Sequence, residues 1–428
     1  MKKKINISFI QYGGMTYRTM IELACRLDKK KFNVVYFWCL PGVDKFSGFK
    51  HPIPTNEDIK LHKSNLVSNG VLPIEFKVQN RFIPDPNLPW ENTNFWQLFD
   101  EVKTDVVFTW RGGRQEYPFC HINKPIVDWN VFGFFDPTFN VFKTLAISPY
   151  CLKENILNGN LTSKVEVAFL PLNEFKSKLN LRKELGISED TIVVGMHQRV
   201  EDTIFDPHSL NAIKYVTQNS KIKLKIIFLG GSKKYEKYSK SLKLDGIFLE
   251  ATQDYSYVSK FLNTLDIYTH ARKDGETLGA AIQEAMIHSL PVLSHKSQWN
   301  AHIDTLGPGG IVCENQNDYN KILLSWVENL EKAKDFGEKG FQYALNRYSW
   351  KSTISIIENV FLEAANMNLK GWLPVKLSIY KKRKILYFLR HFILSISTFI
   401  LIKLFGQKAS VFPVKAKQRI KNLLKRTK

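Results

Sequence analysis

Two carboxylates with small residues around them are the part of the sequence best suited to do chemistry. Glu276 and Glu284 lie eight positions apart, and Gly275, Thr277 and Gly279 surround the first of them. At about 100° per residue, eight positions carry a helix roughly 80° beyond two full turns. Both carboxylates can therefore serve one site only if Glu276 lies in the loop before a helix that contains Glu284, and we predict that arrangement.

The start of that helix predicts an anion site. A helix N-terminus presents unpaired N–H groups and the positive end of the helix dipole, and small residues let an anion approach the backbone. We expect a phosphate to dock on the N–H groups of Thr277, Leu278 and Gly279. Ionised carboxylates accept hydrogen bonds from hydroxyls, so Glu276 and Glu284 would bind the rest of a nucleotide-sugar. On these residues alone, the alternative is an ordinary βαβ unit with surface glutamates.

Other loops at predicted strand ends also hold glycines or cations. Ligands of open parallel sheets bind at the carboxyl ends of the strands, so these residues are candidates for donor or acceptor contacts, although a tight turn or a solvated cation explains each one equally well. They are Gly13 and Gly14, Arg111 and Arg114, Arg272 and Lys273, and Gly231 and Ser232.

Cysteine and histidine usage argues against a metal or disulfide framework. The five cysteines are scattered and have no C-x-x-C spacing, which favours a reducing compartment. No D-x-D sequence occurs, so we predict no catalytic metal. The histidines near the proposed cleft lack metal-ligand spacing, and most are interpreted as packing or surface residues. They are His197, His270, His288 and His295.

Alternating strand and helix patterns occur in two series, which predicts an α/β protein with two doubly wound, Rossmann-like sheets facing across a cleft. Residues 42–89 are predicted to be irregular, with short helical or extended pieces, and a helix is predicted from Leu179 to Leu185. The predicted organisation is an acceptor domain at 1–170, a donor domain at 171–347, a crossover helix at 348–370 and a basic amphipathic tail at 371–428.

The tail accounts for most of the net charge of +21. Residues 371–428 hold 15 lysines or arginines and no acidic residue. The apolar run from Phe392 to Ile402 is 11 residues long, shorter than the ~20 that span a bilayer. We therefore predict an in-plane helix on an anionic membrane surface. A partner-binding helix and a true span are the alternatives, and the long aliphatic run disfavours nucleic acid.

Five segments, in order along the chain, resemble the GT-B nucleotide-sugar glycosyltransferases with an E-x7-E motif, a large retaining family that builds bacterial surface polysaccharides and glycolipids. The segments are G-G-M-T-Y-R-T-M-I-E-L-A-C-R-L, L-R-K-E-L-G-I-S-E-D-T-I-V-V-G-M-H-Q-R-V, L-D-I-Y-T-H-A-R-K-D-G-E-T-L-G-A-A-I-Q-E-A-M, L-G-P-G-G-I-V-C-E-N and R-Y-S-W-K-S-T-I-S-I-I-E-N-V-F. Each segment alone is weak, but the ordered set is specific.

The resemblance implies a role for each motif residue. Glu276 would contact hydroxyls of the donor sugar, and Glu284 would bind the ribose. The N–H groups of residues 277–279 would bind the diphosphate. Arg199 would neutralise the leaving diphosphate, because fixed cations that stabilise developing negative charge lower the barrier. Glu276 and Arg199 are therefore the predicted catalytic residues.

The sequence departs from the family pattern at three places. Ile204 stands where a phosphate-binding lysine is usual, and Leu278 where an aromatic residue is usual. The histidine that often faces the donor sugar is not apparent in I-V-D-W-N-V-F-G. The candidates for the second cation are Arg272, Lys273, Arg111 and Arg114. The candidates for further sugar or acceptor contacts are Asp128, Asn130 and His197, with Arg111 and Arg114.

The implied function is a retaining glycosyltransferase of cell-surface polysaccharide synthesis, peripheral at the cytoplasmic face of the membrane. Its donor would be a nucleotide-sugar, which is a substrate, so no separate cofactor is implied. Its acceptor would be a saccharide or a lipid-linked molecule. The alternatives are a nucleotide-sugar epimerase of the same architecture and a non-catalytic carbohydrate- or membrane-binding protein on a degenerate GT-B scaffold.

Overall fold

The computed structural model describes residues 3–11, 18–40, 55–78, 90, 92–113, 116–136, 138, 140–172, 176–252 and 254–369. Gly13, Gly14, Arg114 and the tail 371–428 lie outside these residues, so the expectations for them stay predictions. Within the described ranges, no helix combines the length and the apolar character needed to cross a membrane.

The first half of the chain forms a seven-stranded parallel sheet in the order β3-β2-β1-β4-β5-β6-β7. The strands read as apolar runs because helices cover both faces of such a sheet. The strands are β1 (Ile5–Gln11), β2 (Phe32–Trp38), β3 (Val71–Glu75), β4 (Val106–Arg111), β5 (Ile126–Asn130), β6 (Val141–Ala146) and β7 (Val165–Val167). The helices are α1 (Arg18–Arg26), α2 (Asn56–Ser68), α3 (Phe95–Val102) and α4 (Pro149–Leu157).

The second half repeats this plan with six parallel strands in the order β10-β9-β8-β11-β12-β13. The strands are β8 (Ile192–Gln198), β9 (Leu224–Gly230), β10 (Gly246–Leu249), β11 (Ile267–Thr269), β12 (Val292–His295) and β13 (Gly310–Cys313). The helices are α5 (His208–Asn219), α6 (Lys233–Ser241), α7 (Tyr255–Leu262), α8 (Ala280–Ile287), α9 (Ala301–Leu306), α10 (Gln316–Glu328) and α11 (Leu330–Arg347). Both sheets contain the 3-2-1-4-5-6 order of doubly wound folds, to which the first sheet adds β7 at its edge. This order confirms the predicted fold class.

Helix α12 (Trp350–Leu369) returns from the second sheet to the core of the first. The ring of Phe361 packs edge-on against Phe9 and Phe108. Glu358 accepts hydrogen bonds from the Asp28 backbone N–H at 2.8 Å and from Lys31 Nζ at 3.0 Å. Apolar contacts and a buried carboxylate therefore attach the end of the described chain to its beginning.

Within the segment 42–89, where only short helical or extended pieces were predicted, residues 55–78 form α2 and β3. Thr55 caps α2 through a capping box, in which its side chain accepts from the Asp58 N–H and Asp58 accepts from the Thr55 N–H. This four-residue signal was present in the sequence and was missed.

The predicted helix from Leu179 to Leu185 was wrong, because this segment is a series of turns. The N–H of Leu181 donates to Thr264 Oγ1 at 2.8 Å, and the Arg182 guanidinium binds Asp266 at 2.7 Å and the carbonyl oxygen of Thr191 at 3.0 Å. Contacts with distant residues thus hold this segment, in which a helical hydrogen bond from the Leu185 N–H to the Leu181 carbonyl oxygen at 3.0 Å is still present.

Candidate active site

Glu276 lies in the loop between β11 and α8, and α8 carries Glu284. The helix begins later than predicted: Gly279 is its N-cap, with φ 100°, and Ile282 donates the first helical hydrogen bond back to the Gly279 carbonyl. Thr277 and Leu278 therefore belong to the loop, and the unpaired N–H groups of the first turn are those of Ala280 and Ala281. The N–H groups of the first helical turn thus begin at Ala280, three residues after Thr277, where the predicted surface begins.

Glu276 is held by two cations or donors in a strained backbone position. Its φ is 60°, in the left-handed region that non-glycine residues seldom adopt. Its Oε1 accepts from His270 Nε2 at 3.1 Å, and its Oε2 lies 3.8 Å from Arg272 Nη1. Burial by itself raises the pKa of Glu276, but the His270 hydrogen bond and the Arg272 charge outweigh it and lower the pKa to about 2. Glu276 is thus a fixed carboxylate.

A second row of contacts fixes the orientation of that carboxylate. Because a carboxylate only accepts, His270 carries a proton on Nε2, and its Nδ1 lies 2.9 Å from Ser294 Oγ. His302 is buried, with its ring nitrogens 2.6 Å from the Gly275 carbonyl oxygen and 2.9 Å from that of His295. His270 was not singled out among the histidines in the sequence. Its position directly after a strand, six residues before Glu276, was the available signal for this contact.

Glu284 pairs with a histidine of the neighbouring strand. His197 Nε2 lies 2.5 Å from Glu284 Oε2, and the Tyr268 hydroxyl lies 3.2 Å from His197 Nδ1. Since β8 lies next to β11 in the sheet, the end of β8 brings His197 beside the second turn of α8. The structure therefore joins two residues that the sequence offered separately.

Arg199 and Lys273, two cations expected to bind the diphosphate, lie in the loops after β8 and β11, and a backbone hydrogen bond joins these loops. The Lys273 N–H donates to the carbonyl oxygen of Ile204 at 3.2 Å, and Ile204 itself is buried. Arg199 follows β8 with its side chain 69% exposed and 3.2 Å from Glu201. The Lys273 side chain is also exposed. Arg199 and Lys273 are consequently two cations of this edge whose side chains face solvent.

Arg272, another candidate for the second cation, is already neutralised. Its Nε and Nη2 form a bidentate pair with Asp274 at 2.6 and 2.8 Å. With Glu276 on its third nitrogen, the guanidinium faces two carboxylates within the protein. Such forked pairs fix geometry, so Arg272 orients this loop.

Gly231 and Ser232 build the turn into α6. Gly231 has φ 81°, and its N–H donates to the Gln198 carbonyl at 2.8 Å. The buried Ser232 hydroxyl caps α6 by accepting from the Lys234 N–H at 3.0 Å, and it donates to Asp202. The Ser232 hydroxyl is therefore already hydrogen-bonded to other groups of the protein.

Arg111 does not face an open anion site, contrary to the expectation from its glycine-rich loop. Its side chain is 1% exposed and lies 3.7 Å from Glu116, 3.5 Å from Asp128 and 2.6 Å from Asp136. Burial raises the pKa of Asp128 to about 7 although the Arg111 charge opposes this shift. Three carboxylates around one cation make a structural cluster within the first half.

Asn130 organises the loop that follows β5. Its Oδ1 accepts from the N–H groups of Phe132 at 3.2 Å and Gly133 at 2.7 Å, and its Nδ2 donates to the Phe134 carbonyl at 2.8 Å. The side chain is buried. Asp128 and Asn130 are therefore engaged by neighbouring groups and do not present a free sugar-binding group at the position of the missing histidine.

The loop carrying Glu276 is docked on the first half of the protein. Ser148 Oγ donates to the Thr277 carbonyl at 2.6 Å, and Cys151 Sγ lies 3.7 Å from the same oxygen. The side chain of Leu278 is buried in the core of the first sheet. Its apolar side chain thus joins the two halves, a role that the sequence analysis missed.

One group of side chains in the described part of the chain brings potential metal ligands together. Asp206, His208 and His295 have ligand atoms within 4.8 Å of one another. The two imidazole rings are stacked 4.1 Å apart and nearly parallel, so their in-plane lone pairs do not converge on one point. His208 Nδ1 lies 2.6 Å from Asp206 Oδ1. We interpret the group as hydrogen-bonded packing beneath the β12 end.

Residues 177–343 match the family model described as glycosyl transferases group 1. This segment is a group 1 glycosyltransferase domain of GT-B type. It contains Glu276, Glu284, Arg199 and His197. No curated protein matches the sequence.

Solved structures share the fold over about 85% of this chain. A glycosyltransferase from Rickettsia africae aligns with a TM-score of 0.62 at 13% identity, over 85% of this chain and 99% of its own. HepE of Anabaena in complex with UDP aligns with a TM-score of 0.60 at 15% identity, over 84% and 100%. A UDP-N-acetylglucosamine 2-epimerase from Listeria monocytogenes, described as putative, gives 0.54 at 11%, over 86% and 98%. At these identities the likeness shows the fold, which transferase and epimerase share.

Proposed function

We propose that the protein is a glycosyltransferase that moves a sugar from a nucleotide-sugar to a saccharide or lipid-linked acceptor. One observation carries the proposal, and it lies within the segment that matches the group 1 family. Glu276 is held ionised just before α8, and Glu284, which lies on α8, is paired with His197 of β8. The first-turn N–H groups of α8 lie between them in the chain. This is an anion site flanked by two hydroxyl acceptors, which matches the chemistry of a sugar, a diphosphate and a ribose.

In this reaction the bond from the sugar to the diphosphate breaks and a bond from the sugar to the acceptor oxygen forms. The N–H groups of Ala280 and Ala281, with Arg199 and Lys273, would stabilise the charge that develops on the departing diphosphate. Glu276 would position the sugar through its hydroxyls. We further propose retention of the anomeric configuration, no separate cofactor and no catalytic metal, which NMR of the product and assays with a chelator can test.

Nucleoside diphosphate release separates this function from the alternatives. A panel of UDP-, GDP- and ADP-sugars is first screened for thermal stabilisation, because a bound donor raises apparent stability. We expect release that is lost in Glu276→Gln and kept in the surface control Glu236→Gln. An isomerised nucleotide-sugar without release would identify an epimerase, and tight binding without turnover would identify a non-catalytic protein.

We also propose that residues 371–428 hold the enzyme at the cytoplasmic face of the membrane, where it would take part in cell-surface polysaccharide synthesis. The 15 basic residues of this segment, whose sequence contains no acidic residue, support this proposal. The full chain should sediment with phosphatidylglycerol vesicles and not with phosphatidylcholine vesicles, and replacing the four basic residues 381–384 by serine should weaken sedimentation. Equal binding to both kinds of vesicle would contradict it.

A further inference from the structure

The two glutamates of the candidate site are anchored differently. The partner of Glu284 is His197, which belongs to the same half of the protein. Glu276 is followed in the chain by Thr277, whose carbonyl oxygen accepts a hydrogen bond from Ser148 Oγ of the first half at 2.6 Å. The place of Glu284 is thus set within the second half, whereas that of Glu276 depends on both halves.

Ser148 commits its proton to this contact across the junction. It is fully buried and is the N-cap of α4, where its Oγ accepts from the Cys151 N–H at 3.1 Å. The next residue, Pro149, has no N–H that could take over the role of donor. A hydroxyl has a single proton. The Ser148 hydroxyl therefore caps a helix of the first half as an acceptor and holds a loop of the second half as a donor.

The loop depends on this contact because the backbone of Glu276 has a left-handed φ of 60°. Such a conformation is unfavourable for a residue with a Cβ, and it persists where surrounding contacts enforce it. The side chain of Glu276 is held by His270 and Arg272, and the chain just beyond it is held through Thr277. Without the contact at Thr277 the backbone can relax and move the carboxylate, and a small displacement in a reacting geometry lowers the rate strongly.

We propose that Ser148 is a positioning residue, through which the first half holds Glu276 in the place where it acts in sugar transfer. The inference rests on the proposed function, in which Glu276 contacts the donor sugar and Glu284 the ribose. Nucleotide binding does not require the contact, because Glu284 and α8 belong to the second half. Breakage of the bond to the sugar does require it. The junction with the half predicted to bind the acceptor thereby regulates the donor site and limits the loss of sugar to water.

Two variants of nearly equal size separate the two roles of Ser148. Asparagine and aspartate are both good N-caps, but only asparagine has a donor for the Thr277 carbonyl oxygen. Ser148→Asn should therefore keep the contact and Ser148→Asp should lose it, while Ser148→Thr keeps the hydroxyl itself. Ser148→Ala removes the donor without adding a charge. Thr55→Ala, which removes the side-chain cap of α2, is the control for the loss of a cap.

The measurements are the rate of nucleoside diphosphate release at saturating donor and calorimetric titration with the same diphosphate. The donor is the one of UDP-, GDP- and ADP-glucose that the wild type consumes fastest with water as the acceptor. In this reaction the bond from the sugar to the diphosphate breaks, and the water oxygen bonds to the sugar and loses a proton. Ser148→Asp and Ser148→Ala should release diphosphate at least about tenfold more slowly, and Ser148→Asn and Ser148→Thr should stay within about threefold of the wild type. The affinity for the diphosphate should stay within about twofold throughout.

Equal release rates of Ser148→Asp and Ser148→Asn would overturn the inference. A diphosphate affinity that falls as much as the rate would also overturn it, because Ser148 would then support the whole site. Hydrogen–deuterium exchange of residues 275–279 tests the contact without substrate. Exchange should be faster in Ser148→Asp than in Ser148→Asn, and equal exchange would overturn the contact.

Failure of the inference differs from failure of the proposed function. Release that depends on Glu276 but not on the donor at position 148 would leave the function intact and overturn the role of Ser148. If the wild type releases no diphosphate from any donor, the proposed function fails and the role of Ser148 in transfer is overturned with it.

Discussion

Glu284 lies with its Oε2 2.5 Å from Nε2 of His197, a residue that precedes it by 87 positions. The contact joins the end of β8 to the second turn of α8 and fixes the direction in which the Glu284 carboxylate points. A carboxylate that is oriented before a ligand arrives loses less entropy on binding hydroxyls. Binding of a nucleotide should therefore depend on both residues.

Replacing Glu284 by Gln should weaken UDP binding by about tenfold, since a hydrogen bond to a charged acceptor is worth about 1.5–3 kcal/mol. His197→Ala should weaken binding less, because the carboxylate stays and loses only its orientation. Isothermal titration calorimetry measures both, with the exposed Glu236→Gln as control. An unchanged affinity in Glu284→Gln would contradict the assignment of Glu284 to the ribose.

The charge of Glu276 should contribute stability that is lost only in acid. Its pKa is about 2 in the folded protein against 4.5 for an ordinary glutamate, so the unfolded chain binds its proton first as the pH falls. The contribution is complete above about pH 4.5 and disappears as the pH falls towards 2. Unfolding free energies of the wild type and Glu276→Gln should therefore converge between pH 5 and pH 2. A constant difference over that range would show that the carboxylate is not held ionised.

Arg111 should act on stability and not on donor binding. Arg111→Met leaves Glu116, Asp128 and Asp136 without their buried cation, and breaking such a pair costs about 3–5 kcal/mol. Urea unfolding measures this loss, and Arg199→Met, at an exposed position, should stay within about 0.5 kcal/mol. A stable Arg111→Met protein with weakened donor or acceptor binding would instead support the role predicted from the sequence, in which Arg111 contacts a ligand.

Leu278 should be important for the junction of the two halves. Leu278→Ala removes a buried side chain from the core of the first sheet, which costs about 2–5 kcal/mol. Leu179→Ala is the matched control, because Leu179 is 61% exposed and its loss should cost less than about 0.5 kcal/mol. Equal denaturation midpoints for the two variants would show that Leu278 does not anchor the loop.

The order of apolar runs and turn residues was enough to determine the fold class. Parallel strands buried on both faces have an unmistakable pattern, and both sheets follow it. The sequence also indicated that Glu276 precedes a helix carrying Glu284, because the helical period excludes placing both on one face of that helix. These features depend on local spacing, which a sequence records directly.

Tertiary structure alone decided which polar groups are already engaged. Arg111, Asn130 and Ser232 carry the same side chains whether they face a ligand or a buried partner, and their partners come from loops and strands that local spacing does not reveal. The same holds for His270 beside Glu276, His197 beside Glu284 and Ser148 beside Thr277. Charge pairing and burial depend on how distant segments meet, so the sequence supplied the chemical groups and the packing of the two sheets decided their use.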